Sequence, residues 1–465
     1  MNALVSFSTP QLTCLHRGKV RDSFRVAGGQ RLLVASDRLS AFDHVLDTAI
    51  PGKGAVLNRL SAFWFDKMRD IVPNHMIRSV ADRAMLVEDV DPIRVEVIVR
   101  GFLAGSAWRA YAAGTRSISG QSLPNGLTKN QQLPSPIVTP TTKGVHDSEI
   151  SPDAIVERGL ATQEEVSAMI DAAQRLFAHA STHLLEAGLL LVDTKYEFGR
   201  KNGLLILIDE LHTPDSSRFW SADEYARDPE SAQSWDKEYV RQWLLERQAD
   251  GETPFVLPRD VVAETKRRYA ELLERVTGLP AAEPPDDAAD HFVGQLVGAG
   301  LLKDAFVAVV LGSASDREHA AQLTEHLEPY DVAVIQRIVS AHKTPRAVAD
   351  LCDEFNAATE PGAVVAVAGL SNGLGGALAA NTALPVINCP PFSDRLDFLL
   401  NINSSLMMPS HAPAMTVVHP KNAALAAARC LNLRRLRGLI CDEIAAVHEA
   451  VARADEALRG GEDGD

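Results

Sequence analysis

The run Phe306–Leu311, FVAVVL, is apolar at every position. A strand with no polar face has to be covered on both sides, and the sheets covered on both sides are parallel ones whose crossover helices do the covering. The chain keeps this rhythm to its end. Strand-like runs at Val332–Val339, Ala363–Ala368, Pro385–Asn388 and Ala414–Val418 alternate with helical stretches at Arg317–Leu327, Pro345–Phe355, Gly373–Ala380 and Lys421–Leu431. The pattern implies a three-layer αβα domain around a parallel sheet, with ligands beyond the carboxyl ends of the strands. A last helix, Arg434–Leu458, extends past that unit and is free to pack on a partner subunit.

Three loops fall at that ligand edge. Gly312-Ser313-Ala314-Ser315-Asp316 offers hydroxyls and backbone N–H groups at a helix start, where anions bind. Ser340-Ala341-His342-Lys343-Thr344 sets an imidazole beside a cation, and Gly369-Leu370-Ser371-Asn372-Gly373 permits close backbone approach. Each alone is also an ordinary strand-to-helix turn. Together they point to a site for a phosphorylated compound.

The first half has a different grain. Leu279–His291 is rich in Pro, Ala and Asp without periodicity, which places a linker over 279–304 between domains 1–278 and 305–465. Within 1–278, strands are expected at Leu32–Ala35, Arg94–Val99, Leu189–Val192 and Leu204–Ile208. Helices are expected at Asn58–Met68, after the capping box Thr162–Glu165, at Tyr239–Leu244 and at Val261–Val276. This is an α+β domain in a chain that is α/β overall. Ser117–Thr142, rich in Ser, Pro, Gly and Thr, is expected to be a long loop or flap closing on Lys143-Gly144-Val145-His146-Asp147.

The stretch Leu191–Arg218 carries the densest charge. Asp193, Lys195 and Glu197 alternate, so they share one face of a strand and its continuation. Gly199, Asn202 and Gly203 mark a turn, and the next strand ends on Asp209-Glu210. Such a row is either a solvated hairpin or a Mg²⁺ site made of one or two carboxylates and a nucleotide's phosphates. Gly18-Lys19-Val20-Arg21 is open in the same way: a plain hairpin turn, or a loop whose N–H groups and cations meet phosphate. The loop Ala35–Asp43 reads equally as turn chemistry or as ligand lining.

Composition narrows the field. A formal charge of −15 argues against nucleic-acid binding, and no apolar run reaches the roughly 18 residues of a membrane span. The start, MNALVSFSTPQL, lacks the form of a secretory signal. Five scattered cysteines without a CxxC pair suggest neither zinc nor disulfides, so a reducing cytoplasmic setting is expected.

From Cys14 to about Gly278 the chain resembles SAICAR synthetase (phosphoribosylaminoimidazole-succinocarboxamide synthase). The resemblance is carried by GKVRD, ASDRLSAFD, VRGFLAGSAW, KGVHD, LVDTKYEFG, Asp209-Glu210 and PDSSR. Phe306 to about Leu431 is similar to aminoimidazole ribonucleotide (AIR) carboxylase, through GSASD and SAHK. The SAHK and AGLSNGLG loops look like the CO₂-using class rather than the mutase class acting on an N-carboxylated intermediate. Thr344 and Gly376 depart from that class, which often has Gly and Pro there.

The resemblance implies an ATP-grasp-like first domain and a flavodoxin-like second. It implies that the second carboxylates AIR with CO₂ to CAIR, and that the first joins CAIR to L-aspartate using ATP. ATP and Mg²⁺ are the implied cofactors, without biotin. In the first domain Gly18, Lys19 and Arg21 would meet nucleotide phosphates, and Glu197 and Asp209 would hold Mg²⁺. Asp193 and Lys195 would be catalytic; Asp43, Arg100, Ser106, Asp147, Asp215 and Arg218 would bind substrate. In the second, His342 and Lys343 would be catalytic. There Gly312, Ser313, Ser315, Asp316, Ser340, Gly369, Ser371, Asn372 and Gly373 would bind substrate. The implied partners are these small molecules and further copies of the chain, with a homo-oligomer built through residues 305–465. The alternatives are a mutase, or a silent oligomerisation and regulatory platform, in the second half.

Overall fold

The long strand at the centre of the first domain, Leu189–Lys201, carries the charged row Asp193, Lys195 and Glu197. The structure, a computed structural model, describes residues 3–42, 44–144, 148–230, 232, 234–249, 256–369, 371 and 373–460. Its contacts divide it into two units, Met1–Phe7 with Thr13–Gln295 and Ser8–Leu12 with Leu296–Asp465.

In the first unit, β1 (Thr13–Arg17), β2 (Arg21–Val26), β3 (Gln30–Ala35), β4 (Met76–Ala81) and β5 (Ala84–Glu88) form an antiparallel sheet in the order β1-β2-β3-β5-β4. A second sheet contains β6 (Asp91–Phe102), β7 (Gln132–Thr142), β8 (Leu189–Lys201), β9 (Leu204–Ile208) and β10 (Ser217–Ser221). β8 is its axis. One edge pairs with β6; the other is shared, Glu197–Lys201 pairing with β9 and Leu189–Thr194 with β10. The loop 209–216 leaves β9 at this fork and returns as β10.

Helices α1 (Lys53–Lys67), α2 (Gly105–Ala112), α3 (Gln163–Glu186), α4 (Arg259–Thr277) and α5 (Ala288–Gly298) complete the unit's main frame. α3 starts on the expected capping box: the Glu165 N–H donates to Thr162 Oγ1 at 3.2 Å, and the Thr162 N–H donates to Glu165 Oε2 at 2.8 Å. Its buried face, including Val166, Met169, Leu176 and Phe177, packs into one core with Val95, Val97 and Val99 of β6.

Three expectations for this half are corrected. Much of the expected flap is a strand: β7 runs along the sheet edge beside β6 despite three prolines. Proline is admissible there because an edge strand needs only half its N–H groups for the ladder. Gly199 is not in the turn but inside β8, at a register shift opposite β6, where an added Cβ would stand 2.6 Å from the Asp91 carbonyl oxygen. The turn is made by Asn202 and Gly203, both at positive φ. Finally, the supposed linker contains α5, whose Phe292 is fully buried edge-on to Phe7. The apolar spacing of Phe292, Val293 and Leu296 was masked by the Pro/Asp-rich stretch before it.

The second unit has β11 (Phe306–Leu311), β12 (Ala333–Ile338), β13 (Gly362–Val367), β14 (Val386–Asn388) and β15 (Ala414–Thr416). They form a parallel sheet ordered β12-β11-β13-β14-β15, the flavodoxin-like order. Alternate residues of β11 feed opposite layers. Val307, Val309 and Leu311 join Leu323 and Ala427, while Phe306, Ala308 and Val310 join Leu351, Phe355 and Leu378. The helices of this unit are α6 (Arg317–Leu327), α7 (Pro345–Asn356), α8 (Gly373–Asn381), α9 (Arg395–Leu406), α10 (Pro420–Leu431) and α11 (Arg434–Gly460). α9 had no counterpart in the sequence reading. The segment Ser8–Leu12 is part of this unit, with Gln11 exchanging hydrogen bonds with the Lys303 backbone at 2.9 and 2.8 Å.

Candidate active sites

The first site lies where β6, β8, β9 and the β1–β2 turn meet. Register pairs Asp193 with Arg100 and Glu197 with Glu96, so the charged row of β8 faces a charged row of β6. Two carboxylates directly opposite one another repel. Lys195, between them, resolves this by donating to Glu96 at 2.9 Å and to Glu197, with Asp209 at 3.7 Å. Lys143 also pairs with Glu197. Burial first, and Asp209 second, push the Glu197 carboxyl up to about 7. Burial alone would raise Asp209 as well, but Arg21 and Lys195 outweigh it and hold the group well below the usual carboxylate range. Arg21 grips both Asp209, at 2.8 Å, and Glu210.

Gly18, Lys19, Arg21, Lys195, Glu197, Asp209 and Asp215 line one cleft of about 540 Å³. Gly18 closes the β1–β2 turn, its N–H donating to the Arg21 carbonyl at 2.8 Å. An added Cβ would collide with that oxygen, so glycine is required. Asp215 is nearly buried, held by Lys53 at 2.6 Å and by the Tyr269 hydroxyl at 3.0 Å. Burial lowers the pKa of Lys53, whose side chain is 0% exposed, while Asp215 opposes that shift.

Arg100, Asp193 and Arg218 are not among the residues lining that cleft; they form an adjoining cluster. Asp193 Oδ2 accepts from Arg218 at 2.6 Å and from Arg100 at 3.2 Å. Gly105, at φ +55°, opens α2 beside the Arg218 guanidinium, and an added Cβ would lie 2.5 Å from Nη1. Ser106 follows, exposed at the start of α2. Asp193 and Glu197 are four residue steps apart along the strand, about 13 Å at strand rise. Asp43 and Asp147 lie outside the described residues.

Sequence reasoning named Lys143 and Glu210 without giving them a role, and missed Glu96, Lys237 and Arg241 in this cleft. Glu96 was legible: it breaks the apolar run of β6 on the face that pairs with Glu197. Lys237 and Arg241 were not, since only the fold returns that distant segment to the cleft.

The second site lies in the other unit. Gly312, Ser313, Ser315, Asp316, Ser340, His342, Lys343, Gly369 and Ser371 line one cleft of about 900 Å³ at the carboxyl ends of the strands. The Ser313 N–H donates to Asp316 Oδ2 at 3.1 Å and Ser315 Oγ donates to Ser313 Oγ at 2.9 Å, which fixes the loop before α6. Burial raises the Asp316 pKa. Thr344 knits the second loop, accepting from the Ser340 N–H at 3.0 Å and donating to its carbonyl at 3.1 Å. His342 lies on the start of α8, where a Cβ on Gly373 would stand 2.9 Å from the imidazole Cε1. Asn372 lies outside the described residues. His319, Phe392 and Asp397 also line this cleft and were missed. His319 is one of several polar positions of the helix Arg317–Leu327, so spacing alone does not single it out.

Among the described residues no three His, Cys, Asp or Glu side chains gather as a metal cage, and no helix is long and apolar enough to cross a membrane.

Comparison with known proteins resolves the two halves. The family profile of SAICAR synthetase matches residues 14–255, and that of AIR carboxylase matches residues 306–449. A putative phosphoribosylaminoimidazole-succinocarboxamide synthase 2 of Agrobacterium fabrum is 42% identical over 294 residues, covering 60% of this chain and 92% of its own. The synthase of Bacteroides fragilis is 43% identical over 281 residues, covering 58% and 90%. Among solved structures, SAICAR synthase from Saccharomyces cerevisiae complexed with SAICAR is 35% identical with a TM-score of 0.54, covering 59% of this chain and 99% of that one.

Proposed function

We propose, for a chain that belongs to the SAICAR synthetase family and carries an AIR carboxylase domain after it, that the two domains perform consecutive steps. The chain is an enzyme of purine biosynthesis. In the proposed order the second domain carboxylates AIR with CO₂, and the first ligates the resulting CAIR to L-aspartate at the expense of ATP.

For the ligation, the observation that carries the reading is the convergence of Glu197 and Asp209 beside Lys195 in one cleft. Two carboxylates, with no cage of three His, Cys, Asp or Glu side chains among the described residues, match Mg²⁺, which keeps waters and completes its shell with phosphate oxygens. The Glu197 carboxyl, raised by burial and by Asp209 beside it, would be held as the carboxylate by a divalent ion shared between the two. Bound there, the ion would neutralise charge on the transferring phosphoryl group. The chain's own residues do the rest. Lys19 and the N–H groups of the β1–β2 turn face the nucleotide phosphates, and Arg21 holds Asp209 in place. Arg100 and Arg218 offer guanidinium forks to the phosphate of CAIR, with Ser106 at the start of α2. The spacing of about 13 Å along β8 suits a ribonucleotide laid from that phosphate to the carboxylate being activated. Lys195 stands midway, fit to hold that carboxylate until aspartate's amine displaces the phosphate.

For the carboxylation, the carbon of an aminoimidazole is itself electron-rich, so no biotin is called for. The domain positions AIR, excludes water and removes the C4 proton after attack. His342, lying on the glycine start of α8, is the proton acceptor, and Lys343 faces the new carboxylate. The hydroxyls of Ser313 and Ser315 seat the ribose phosphate at the start of α6. The combination of SAHK with Ser371 and Gly373–Gly375 favours CO₂ over an N-carboxylated substrate.

Assays with AIR, bicarbonate, ATP, Mg²⁺ and aspartate, omitting one at a time, test both halves. SAICAR should require all five, and CAIR should form from AIR and bicarbonate alone. Turnover confined to the N-carboxylated ribonucleotide would make the second domain a mutase. We also propose a homo-oligomer through the second domain, supported by Ile444, Val447, Val451 and Leu458 exposed along α11. Sedimentation of the intact chain as a monomer at micromolar concentration would exclude it.

A further inference from the structure

His342 is one imidazole of the carboxylase cleft, but a second ring lines it. His319 stands in the first turn of α6, half-buried, on the same cleft as Ser313 and Ser340. Its Nε2 lies 3.3 Å from Sγ of Cys389, the residue that follows β14. The thiol is fully buried, and burial pushes it up to about 12, so the sulfur keeps its proton. That proton is directed at the Val418 carbonyl oxygen, 3.5 Å from Sγ. With its S–H donated there, the sulfur is left to accept from the imidazole, the arrangement in which Nε2 carries the proton and the lone pair is on Nδ1. Burial and the neighbouring His419 both lower the His319 pKa and keep the ring neutral. Nδ1 has no partner among the described residues and is not sealed from solvent.

We propose that His319 is a further catalytic residue of this cleft, its Nδ1 accepting a hydrogen bond from the exocyclic amine of bound AIR. The proposal rests on the carboxylase reading of the cleft. In that reaction the C4 electron pair forms a bond to the carbon of CO₂, and one C–O π pair moves to oxygen. The amine lone pair shifts toward the ring, leaving positive charge on the amine N–H. Transfer of the C4 proton to His342 then returns the C–H pair to the ring and restores its aromaticity. A neutral acceptor at the amine is favoured more as that charge develops than in the ground state, so it lowers the barrier rather than tightening substrate binding. The relay through Cys389 to Val418 serves this by keeping Nδ1 unprotonated.

The test compares the full-length protein with His319→Ala, His319→Gln and Cys389→Ala. Initial rates are measured with AIR and bicarbonate, and in parallel with the N-carboxylated ribonucleotide. Ligation of supplied CAIR reports on the other domain, and thermal unfolding on the carboxylase domain. His319→Ala should lose about 10²-fold in kcat, with the KM for AIR moving by less than about threefold. Added imidazole should restore about tenfold of that loss, and His319→Gln, which can both donate to the sulfur and accept, should keep about a tenth of wild-type kcat. Cys389→Ala should fall between Gln and wild type. The proposal is overturned if His319→Ala keeps kcat within about threefold of wild type, or if its loss resists both imidazole and the Gln replacement, as a packing role requires. Failure of the underlying reading looks different: wild type would then turn over only the N-carboxylated ribonucleotide. The same ratios taken in that reaction would still decide whether His319 is catalytic.

Discussion

The two clefts are built from opposite materials. In the first, each buried carboxylate is answered by a fixed cation: Asp193 by Arg100 and Arg218, Glu197 by Lys195 and Lys143, Asp209 by Arg21, Asp215 by Lys53. In the second, the lining is largely hydroxyl, backbone and imidazole, at the starts of α6 and α8. Phosphoryl transfer concentrates charge on oxygens and is served by ions held in place beforehand. Carboxylation of an electron-rich carbon needs a positioned acceptor and a dry surface. On the proposed reading one chain separates an electrostatic problem from an acid–base one, and substitutions should respect that division.

The largest expected effect breaks it from both sides. Glu197→Gln should lower ligation by about 10³-fold or more, since a developing phosphoryl charge loses its ion, and leave carboxylation of AIR unchanged. His342→Asn should do the reverse, costing about 10²–10⁴-fold in carboxylation while supplied CAIR is still ligated. Separate assays of the two half-reactions on each variant check this, and a variant that depresses both would dissolve the contrast.

Next is the buried ion pair beneath the first cleft. Lys53→Ala leaves Asp215 charged and buried, and should destabilise the first domain by about 3–5 kcal/mol. Lys53→Met with Asp215→Leu should recover most of that stability but not ligation. Denaturant midpoints followed by tryptophan emission, with ligation assayed alongside, separate the two.

The electrostatic cleft also stands on a buried neutral histidine. His212 accepts from or donates to the Tyr196 hydroxyl at 2.8 Å, and burial holds its pKa down to about 3. The unfolded chain takes up a proton near pH 6.5, the folded one only near 3. Its contribution is therefore complete above about pH 6.5 and is lost, by about 1.4 kcal/mol per pH unit, as pH falls between these values. Denaturant midpoints for the first domain at pH 7, 5 and 4 should fall in that order, and His212→Gln should flatten the decline.

The smallest effect sharpens the boundary of the first cleft. Gly105→Ala places a Cβ against Arg218 at a positive φ, at a cost of about 1–3 kcal/mol. It should raise the KM for CAIR several-fold more than the KM for ATP, because Arg218 borders the adjoining cluster rather than the nucleotide cleft.

Much of this was readable in residue order. The central strands of the second domain, Phe306–Leu311 and Gly362–Val367, announce themselves because burial on both faces leaves no polar positions, and Phe306–Leu311 and Arg317–Leu327 have the bounds their patterns imply. The capping box of α3 was readable because its hydrogen bonds join residues three apart. β7 and α9 were not readable: proline-rich sequence is strand only when an edge is available, and α9 lacks a strong apolar stripe, with Leu396 and Leu399 exposed.

Sequence by itself determined the two-domain order, the parallel αβα sheet, the three ligand loops and the alternating row Asp193, Lys195, Glu197, because each depends on neighbours a few residues apart. Tertiary structure alone decided which charges meet. Pairing β8 with β6 on one edge and with β9 and β10 on the other sets Glu96 against Glu197 and brings Asp209 to Lys195 and Arg21. It likewise returned Cys389 to His319, 70 residues away. Backbone geometry is set by local preference, but the pKa and reach of an ionised group are set by whatever long-range packing places within a few ångströms of it.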